Sequence, residues 1–206
     1  VTTQLLFATQ LAHGRLPAAR ARRLNARLLR ECLQLRLDDA AGRRWSRTGY
    51  PGGYTSYCSQ NRMHTLSPSF AALESLLQPA VSAFARALDL QLDRRRLTMT
   101  DCWVNIMPRG VSHGLHLHPH AVISGTYYVQ TPPGSSALKL EDPRLDRLMA
   151  APPRRPAARP YNRTWVSIPA AAGHWVLFES WLRHEVMPNQ SRSPRISISF
   201  NFDLPR

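Results

Sequence analysis

A mainly β fold of the barrel or jelly-roll kind, with flanking helices, is what this sequence predicts. Three observations carry that expectation. Residues 17–90 hold two stretches of helical apolar periodicity. After Arg96 the chain breaks into short strand-like runs separated by Gly and Pro. The last of those runs alternates strictly between apolar and polar residues. Short strands at such spacing close into a barrel or two packed sheets. With 206 residues, 43% of them hydrophobic, the chain can bury a sizeable core and is too apolar for a disordered one.

From Pro17 to Leu35, the residues Ala21, Leu24, Leu28, Cys32 and Leu35 recur at three- and four-residue steps, which marks one face of a helix. Gly49 to Ser59 is rich in Gly and Tyr and reads as loop with a short strand. Ser67 then offers an N-cap, with Pro68 at the first helical position of a helix reaching Leu90. Its buried face is Leu73, Leu77, Phe84 and Leu88, and Pro79 is a candidate kink. The strand-like runs are Leu97–Met107, Val122–Gln130, Ala137–Glu141, Trp165–Ile168, His174–Phe178 and Arg195–Phe202. In the last, Ile196, Ile198, Phe200 and Phe202 face one way, and Arg195, Ser197, Ser199 and Asn201 the other. Pro143 to Pro160, rich in Pro and Arg, is a long connection between strands, and such loops are usually functional. The division is a helical N-terminal region, 1–96, packing on a β core, 97–206, within one structural domain.

The formal net charge is +14, and Lys139 is the only lysine among 27 basic residues. The arginines are scattered: Arg20, Arg22, Arg23, Arg27 and Arg30, then Arg94 to Arg96, then Arg154, Arg155 and Arg159. No zinc-finger, helix-turn-helix or RNA-recognition signature accompanies them, so a solvated basic face is favoured over a nucleic-acid surface. Cys32, Cys58 and Cys102 are odd in number and lack metal-ligand spacing, which argues against a disulfide framework. No apolar run approaches the roughly 20 residues that span a bilayer, and the N-terminus lacks a signal-peptide pattern. The expectation is a soluble, cytoplasmic protein with no membrane partner; a homodimer is compatible with the sequence.

The chemically informative segment is His113-Gly-Leu-His116-Leu-His118-Pro-His120. On a strand, residues i and i+2 point the same way, so His116 and His118 project from one face about 6 to 7 Å apart along the chain. Two imidazoles so placed can converge on one cation, and imidazole suits iron, zinc and copper. A third is available at His184, which a jelly roll returns to the first two because its late strands lie beside its early ones. Beyond it, Arg195 can grip a carboxylate through two parallel hydrogen bonds, with Ser197 on the same strand face adding a third. Asn105, upstream, offers an amide to a second carboxylate. Taken singly, each has a plain structural reading: a polar His-rich loop, a surface salt-bridge partner, a turn cap.

Taken together, the order Asn105, His116-x-His118, a long gap, His184 and Arg195-x-Ser197 resembles the 2-oxoglutarate/iron(II) oxygenases. It is most similar to the bacterial 2OG-Fe(II) oxygenases related to prolyl hydroxylases. The resemblance rests on His116-Leu-His118-Pro-His-Ala-Val-Ile-Ser124-Gly125-Thr-Tyr127-Tyr128-Val and Glu141-Asp142-Pro143-Arg144. Phe178-Glu-Ser-Trp181-Leu-Arg-His184 and Arg195-Ile-Ser-Ile-Ser-Phe-Asn201 complete it, over roughly Tyr54 to Phe202. It implies a double-stranded β-helix that uses iron(II), dioxygen and 2-oxoglutarate to oxidise a further substrate, a small molecule or a protein side chain. It also puts His116 and His184 on metal-ligand positions and Arg195 with Ser197 on the distal-carboxylate anchor. Asn105 falls where the DNA-dealkylating relatives place a cosubstrate-binding Asn, but Met107 stands where they carry Tyr. Tyr127 or Tyr128 could supply that phenol.

One departure from the family pattern matters. The usual triad is two histidines and a carboxylate, whereas this chain has His118 at the carboxylate position. His118 is the expected third ligand, with His120, Asp101 or Glu179 as alternatives. Trp103, Trp181 and the Pro143–Pro160 loop are candidates to border the substrate pocket. Two rivals remain. One is a cupin-like dioxygenase or isomerase without 2-oxoglutarate, although Ala121, Val122 and Ile123 stand where a cupin carries Glu. The other is a basic binding module whose histidines are structural.

Overall fold

The chain opens with an edge strand, β1 (Leu11–Arg15), and two consecutive helices, α1 (Ala18–Asp38) and α2 (Ala40–Gly49). A two-residue strand β2 (Tyr54–Thr55), a single turn α3 (Met63–Leu66) and α4 (Pro68–Ala87) follow. Then come β3 (Thr98–Met107), β4 (His113–His116), β5 (Ile123–Gln130), β6 (Leu138–Glu141), β7 (Trp165–Ile168), β8 (His174–Glu179), β9 (His184–Val186) and β10 (Arg195–Asp203). The computed structural model describes residues 1–205, so Arg206, the last residue of the expected β core, lies outside the described residues.

Helix α1 buries Ala21, Leu24, Leu28 and Cys32, the face its periodicity predicts. In α4 the Ser67 side chain accepts from the Ser69 amide, Pro68 stands in the first turn, and the helix runs on through Pro79. It ends at Ala87, short of the expected Leu90, as Asp89 takes a left-handed φ of 53° that a right-handed helix cannot include. Several elements come without sequence warning, among them α2 and β1. Helix α2 buries only Gly42 and Ser46, so it has no apolar stripe to read. Strand β1 is a short edge strand on β8.

The strands from β3 onward pass back and forth between two antiparallel sheets, ordered β1-β8-β5-β10-β3-β2 and β4-β9-β6-β7. This is the double-stranded β-helix, a jelly roll. Helices α1 and α4 cover the outer face of the larger sheet. Leu24, Leu28, Phe70, Leu73 and Leu77 join Cys102, Val104, Tyr127, Ile196, Ile198 and Phe200 in one cluster. A second cluster, with Tyr50, Met107, Tyr128, Leu138, Leu140, Phe178 and Val186, fills the space between the sheets. The consequence for β10 is decisive. Its apolar residues face the helices, so its polar row points into the interior between the sheets rather than into solvent.

The N-terminal helices are bolted to the sheet edge by Asp39. This buried carboxylate caps α2 by accepting from the Gly42 amide at 2.8 Å, and also accepts from the Tyr54 hydroxyl at 2.9 Å and from Ser59. Asp39→Ala removes the cap, worth about 1 kcal/mol, leaves the Tyr54 hydroxyl unpaired and leaves Ser59 only its longer bond to the Ser56 carbonyl at 3.3 Å, at about 1 kcal/mol each. A loss of about 3 kcal/mol in denaturant-induced unfolding is expected. Among the described residues, no helix is long and apolar enough to cross a membrane.

Candidate metal and carboxylate site

Strands β4 and β9 pair so that His116 and His184 are direct cross-strand partners. His118 lies just past the end of β4, held by its amide donating to the Ser180 carbonyl at 2.9 Å. Ring nitrogens of these three histidines all lie within 4.8 Å of one another. Each Nδ1 is tied to an oxygen: His116 to Gly114 at 2.7 Å, His184 to Leu182 at 2.8 Å, and His118 to Oδ1 of Asn201 at 2.7 Å. A carbonyl oxygen only accepts, so each Nδ1 carries the proton and each Nε2 keeps its lone pair. Burial, above all, lowers the histidine pKa values: His118 to about 4, and His116 and His184 also below the ordinary value. All three are therefore neutral near pH 7, the form that binds a metal.

The other candidates for this set stand apart. His113 stacks on His116 with ring centroids 4.2 Å apart and meets Tyr50 edge-on, but is not one of the converging three. His120 is exposed, with a left-handed φ of 65°. Both oxygens of Asp101 are engaged by Asn61, Thr100 and Asn201. Glu179 closes β8, partly buried and outside the set.

The interior row of β10 supplies the second half of the site. Arg195 is only 2% exposed. Its Nε donates to the Ser136 carbonyl at 3.2 Å, and its Nη1 to Ser197 Oγ at 3.1 Å and to Met107 Sδ at 3.4 Å. The Tyr128 ring lies 5.0 Å from the guanidinium carbon. Among the described residues no carboxylate is within ion-pair distance of it. Around it the hydroxyls of Tyr50 and Tyr128 and the Oδ1 of Asn105 are buried without hydrogen-bond partners among the described residues. Burial raises both phenols above their ordinary value, so both are protonated donors near neutral pH. A buried cation beside unpartnered hydroxyls is the chemistry of a carboxylate receptor. One cavity is lined both by His116, His118 and His184 and by Asn105, Arg195 and Ser197. A larger cleft of about 700 Å³ lies under residues 4–9 and the β6–β7 connection, and none of these six residues lines it.

Of the two tyrosines left open by the sequence, Tyr127 is corrected here. Adjacent strand residues point to opposite faces, and Tyr127 points to the helices, where its hydroxyl donates to Asn25 at 2.6 Å. Tyr128 is the one in the interior. Asn105 lines the cavity, but its Nδ2 donates to Ser199 at 3.0 Å, which turns its carbonyl to the free space. Rotating that amide by half a turn lets Ser199 donate to the oxygen and frees the N–H for a carboxylate. Sequence reasoning missed Tyr50, which closes α2 and carries no motif. It also missed roles for Ser199 and Asn201, although both continue the polar row begun by Arg195 and Ser197.

Residues 101–201 match the protein family described as "Putative 2OG-Fe(II) oxygenase". This core belongs to the 2OG-Fe(II) oxygenase family. The enzyme is thus a 2-oxoglutarate-dependent non-haem iron oxygenase, and its nitrogen donors and buried arginine fit both the metal and the cosubstrate. Among curated proteins, none matches the sequence. Among solved structures it is similar to a Pseudomonas putida prolyl-4-hydroxylase at 18% identity and a TM-score of 0.62, over 94% of this chain and 92% of that one. The epimerase SnoN from nogalamycin biosynthesis gives 16% and 0.61, over 94% and 76%. HygX from Streptomyces hygroscopicus, solved with nickel, 2-oxoglutarate and hygromycin B bound, gives 12% and 0.59, over 94% and 82%. At these identities the likeness is one of fold.

Proposed function

We propose that His116, His118 and His184 hold the iron and that Arg195 and Ser197, with Tyr128 and Tyr50, grip the distal carboxylate of 2-oxoglutarate. The observation that carries this reading is the buried, carboxylate-free Arg195 in the same cavity as three converging imidazoles. Bound iron(II) would supply oxygen activation coupled to oxidative decarboxylation of 2-oxoglutarate, giving succinate, carbon dioxide and a hydroxylated or otherwise oxidised substrate. Asn105, its amide turned over, donates to the cosubstrate's other end. Trp103, 4% exposed and 5.5 Å from the His118 ring, and Trp181, 45% exposed and close in sequence to His184, border the substrate's approach. The 142–164 connection leaves β6 beside Leu140, the cross-strand partner of His184, and forms the adjoining rim. The substrate is a small molecule or a protein side chain.

The test is anaerobic titration of the purified protein with iron(II) and 2-oxoglutarate. A visible charge-transfer band that needs both is expected. Iron binding with no band would favour the cupin-like reading, which leaves Arg195 and Ser197 without a ligand. The tyrosine assignment has its own check. Tyr50→Phe and Tyr128→Phe should each weaken 2-oxoglutarate binding by about 10-fold or more, the worth of one hydrogen bond to a charged group. Tyr127→Phe should leave that affinity unchanged and lower stability by about 1 kcal/mol, through the lost bond to Asn25. Loss of cosubstrate affinity in Tyr127→Phe alone would reverse the assignment.

A further inference from the structure

The three site histidines are all anchored at Nδ1, but not by the same kind of partner. For His116 and His184 it is the backbone carbonyl two residues earlier. No side-chain substitution can remove those anchors. His118 instead depends on a side chain 83 residues away, Oδ1 of Asn201. Its tautomer, and hence which nitrogen faces the metal position, is set by the way the Asn201 amide faces.

That amide is itself oriented. Oδ1 accepts a second hydrogen bond from the Ser124 hydroxyl at 2.8 Å, and Ser124 in turn pairs with Ser180 at 2.8 Å. Nδ2 donates to Asp101 Oδ2 at 3.4 Å. Asp101 is fixed by Asn61, donating to Oδ1 at 3.2 Å, and by Thr100, donating to Oδ2 at 2.9 Å. The row is built by register: Asn201 on β10 pairs with Asp101 on β3 on one side and Ser124 on β5 on the other. A carboxylate accepts only, so Asp101 selects the amide orientation that turns Oδ1 to His118.

We propose that Asp101, acting through Asn201, is the positioning residue for His118 and supplies, one layer out, the negative charge that a carboxylate ligand would have placed on the metal. The proposal rests on the reading that His118 is the third ligand. The carboxylate polarises the Asn201 amide, the amide oxygen draws on the His118 Nδ1–H, and Nε2 becomes a stronger donor. A neutral three-histidine set thereby recovers part of the charge compensation that it lacks.

The experiment measures cobalt(II) affinity by calorimetry, with the cobalt ligand-field spectrum as a second readout, on folded variants of this chain. Loss of such an outer hydrogen-bond partner typically weakens metal binding about 10- to 100-fold. Asp101→Asn and Asn201→Ala should each fall in that range and shift the cobalt bands. The swapped double variant, Asp101→Asn with Asn201→Asp, returns an acceptor to His118 and should recover most of the affinity. In a His118→Asp background there is no imidazole to orient, so adding Asp101→Asn should change affinity little. Wild-type affinity in both single variants, while His118→Ala loses the metal, would overturn the proposal and leave the ligand assignment intact. An equal loss from Asp101→Asn in the wild-type and His118→Asp backgrounds would also overturn it, as a general packing effect. Full cobalt affinity in His118→Ala would remove the ligand assignment itself, and the proposal with it. If Asn201→Ala does not fold, Asp101→Asn and the swapped pair decide alone.

Discussion

Replacing Arg195 by alanine is expected to weaken 2-oxoglutarate binding by roughly 30- to 3,000-fold while leaving iron affinity nearly unchanged. The range follows from the cost of removing one partner of a buried, hydrogen-bonded charge pair, about 2 to 5 kcal/mol at 1.4 kcal/mol per decade. An exposed arginine would contribute about 1 kcal/mol at most. Arg195 belongs to the first case because it is buried and, among the described residues, its hydrogen-bond partners are a carbonyl, a hydroxyl and a thioether, none of which neutralises it. Arg195→Lys should recover only part of the loss, since an ammonium cannot make the two-pronged contact. The measurement is a titration of 2-oxoglutarate into the iron-loaded protein without oxygen, for wild type and both variants. Equal binding in all three, or none in the wild type, would move the assignment to a metalloenzyme that does not use 2-oxoglutarate. Iron affinity in the same samples controls for folding, as the metal position depends on β4 and β9 rather than on this side chain.

Arg195 was legible in the sequence because β10 alternates without a break, and an arginine heading a polar row of small residues stands out. What alternation could not say is which row faces inward. Residues usually sort by polarity with apolar side chains inside, but here the larger sheet is covered by helices on one face and by the second sheet on the other. Polar and apolar rows are thus both buried. Strand β5 shows the same limit more sharply: Ile123 to Val129 are all buried, so nothing local separates Tyr127 from Tyr128. Partners distant in sequence tell them apart, Asn25 on α1 for Tyr127 and Arg195 on β10 for Tyr128. Helix α2 hid because its exposed arginines surround a buried face made of Gly42 and Ser46, and Tyr50 was hidden with it. The histidine spacing was legible because two histidines two residues apart, at and just past the end of one strand, is a local pattern. The Asp101–Asn201–Ser124 row was not, because it exists only once three strands are in register, with an irregularity of that register just beyond Asn201.

The largest loss of metal is expected from the histidines themselves. In zinc sites, four protein ligands share about 10 to 16 kcal/mol, so one is worth about 2.5 to 4 kcal/mol. On that scale His116→Ala, His118→Ala and His184→Ala should each weaken iron binding by about 100- to 1,000-fold. His120→Ala is the control, since that side chain is exposed and outside the converging three. The sharper variant is His118→Asp. It introduces the carboxylate that the family's usual triad carries, and one negative charge beside the metal offsets the loss of an imidazole. Iron binding equal to or tighter than wild type is therefore expected. The surroundings tolerate the change, because Asn201 Oδ1 keeps its hydrogen bond from Ser124 when the imidazole is gone. Calorimetry or metal analysis on the five variants decides the ligand set. Full occupancy in His118→Ala would leave His116 and His184 as the only protein nitrogens on the metal. A His118→Asp protein as weak as His118→Ala would show that a carboxylate at this position does not reach the metal.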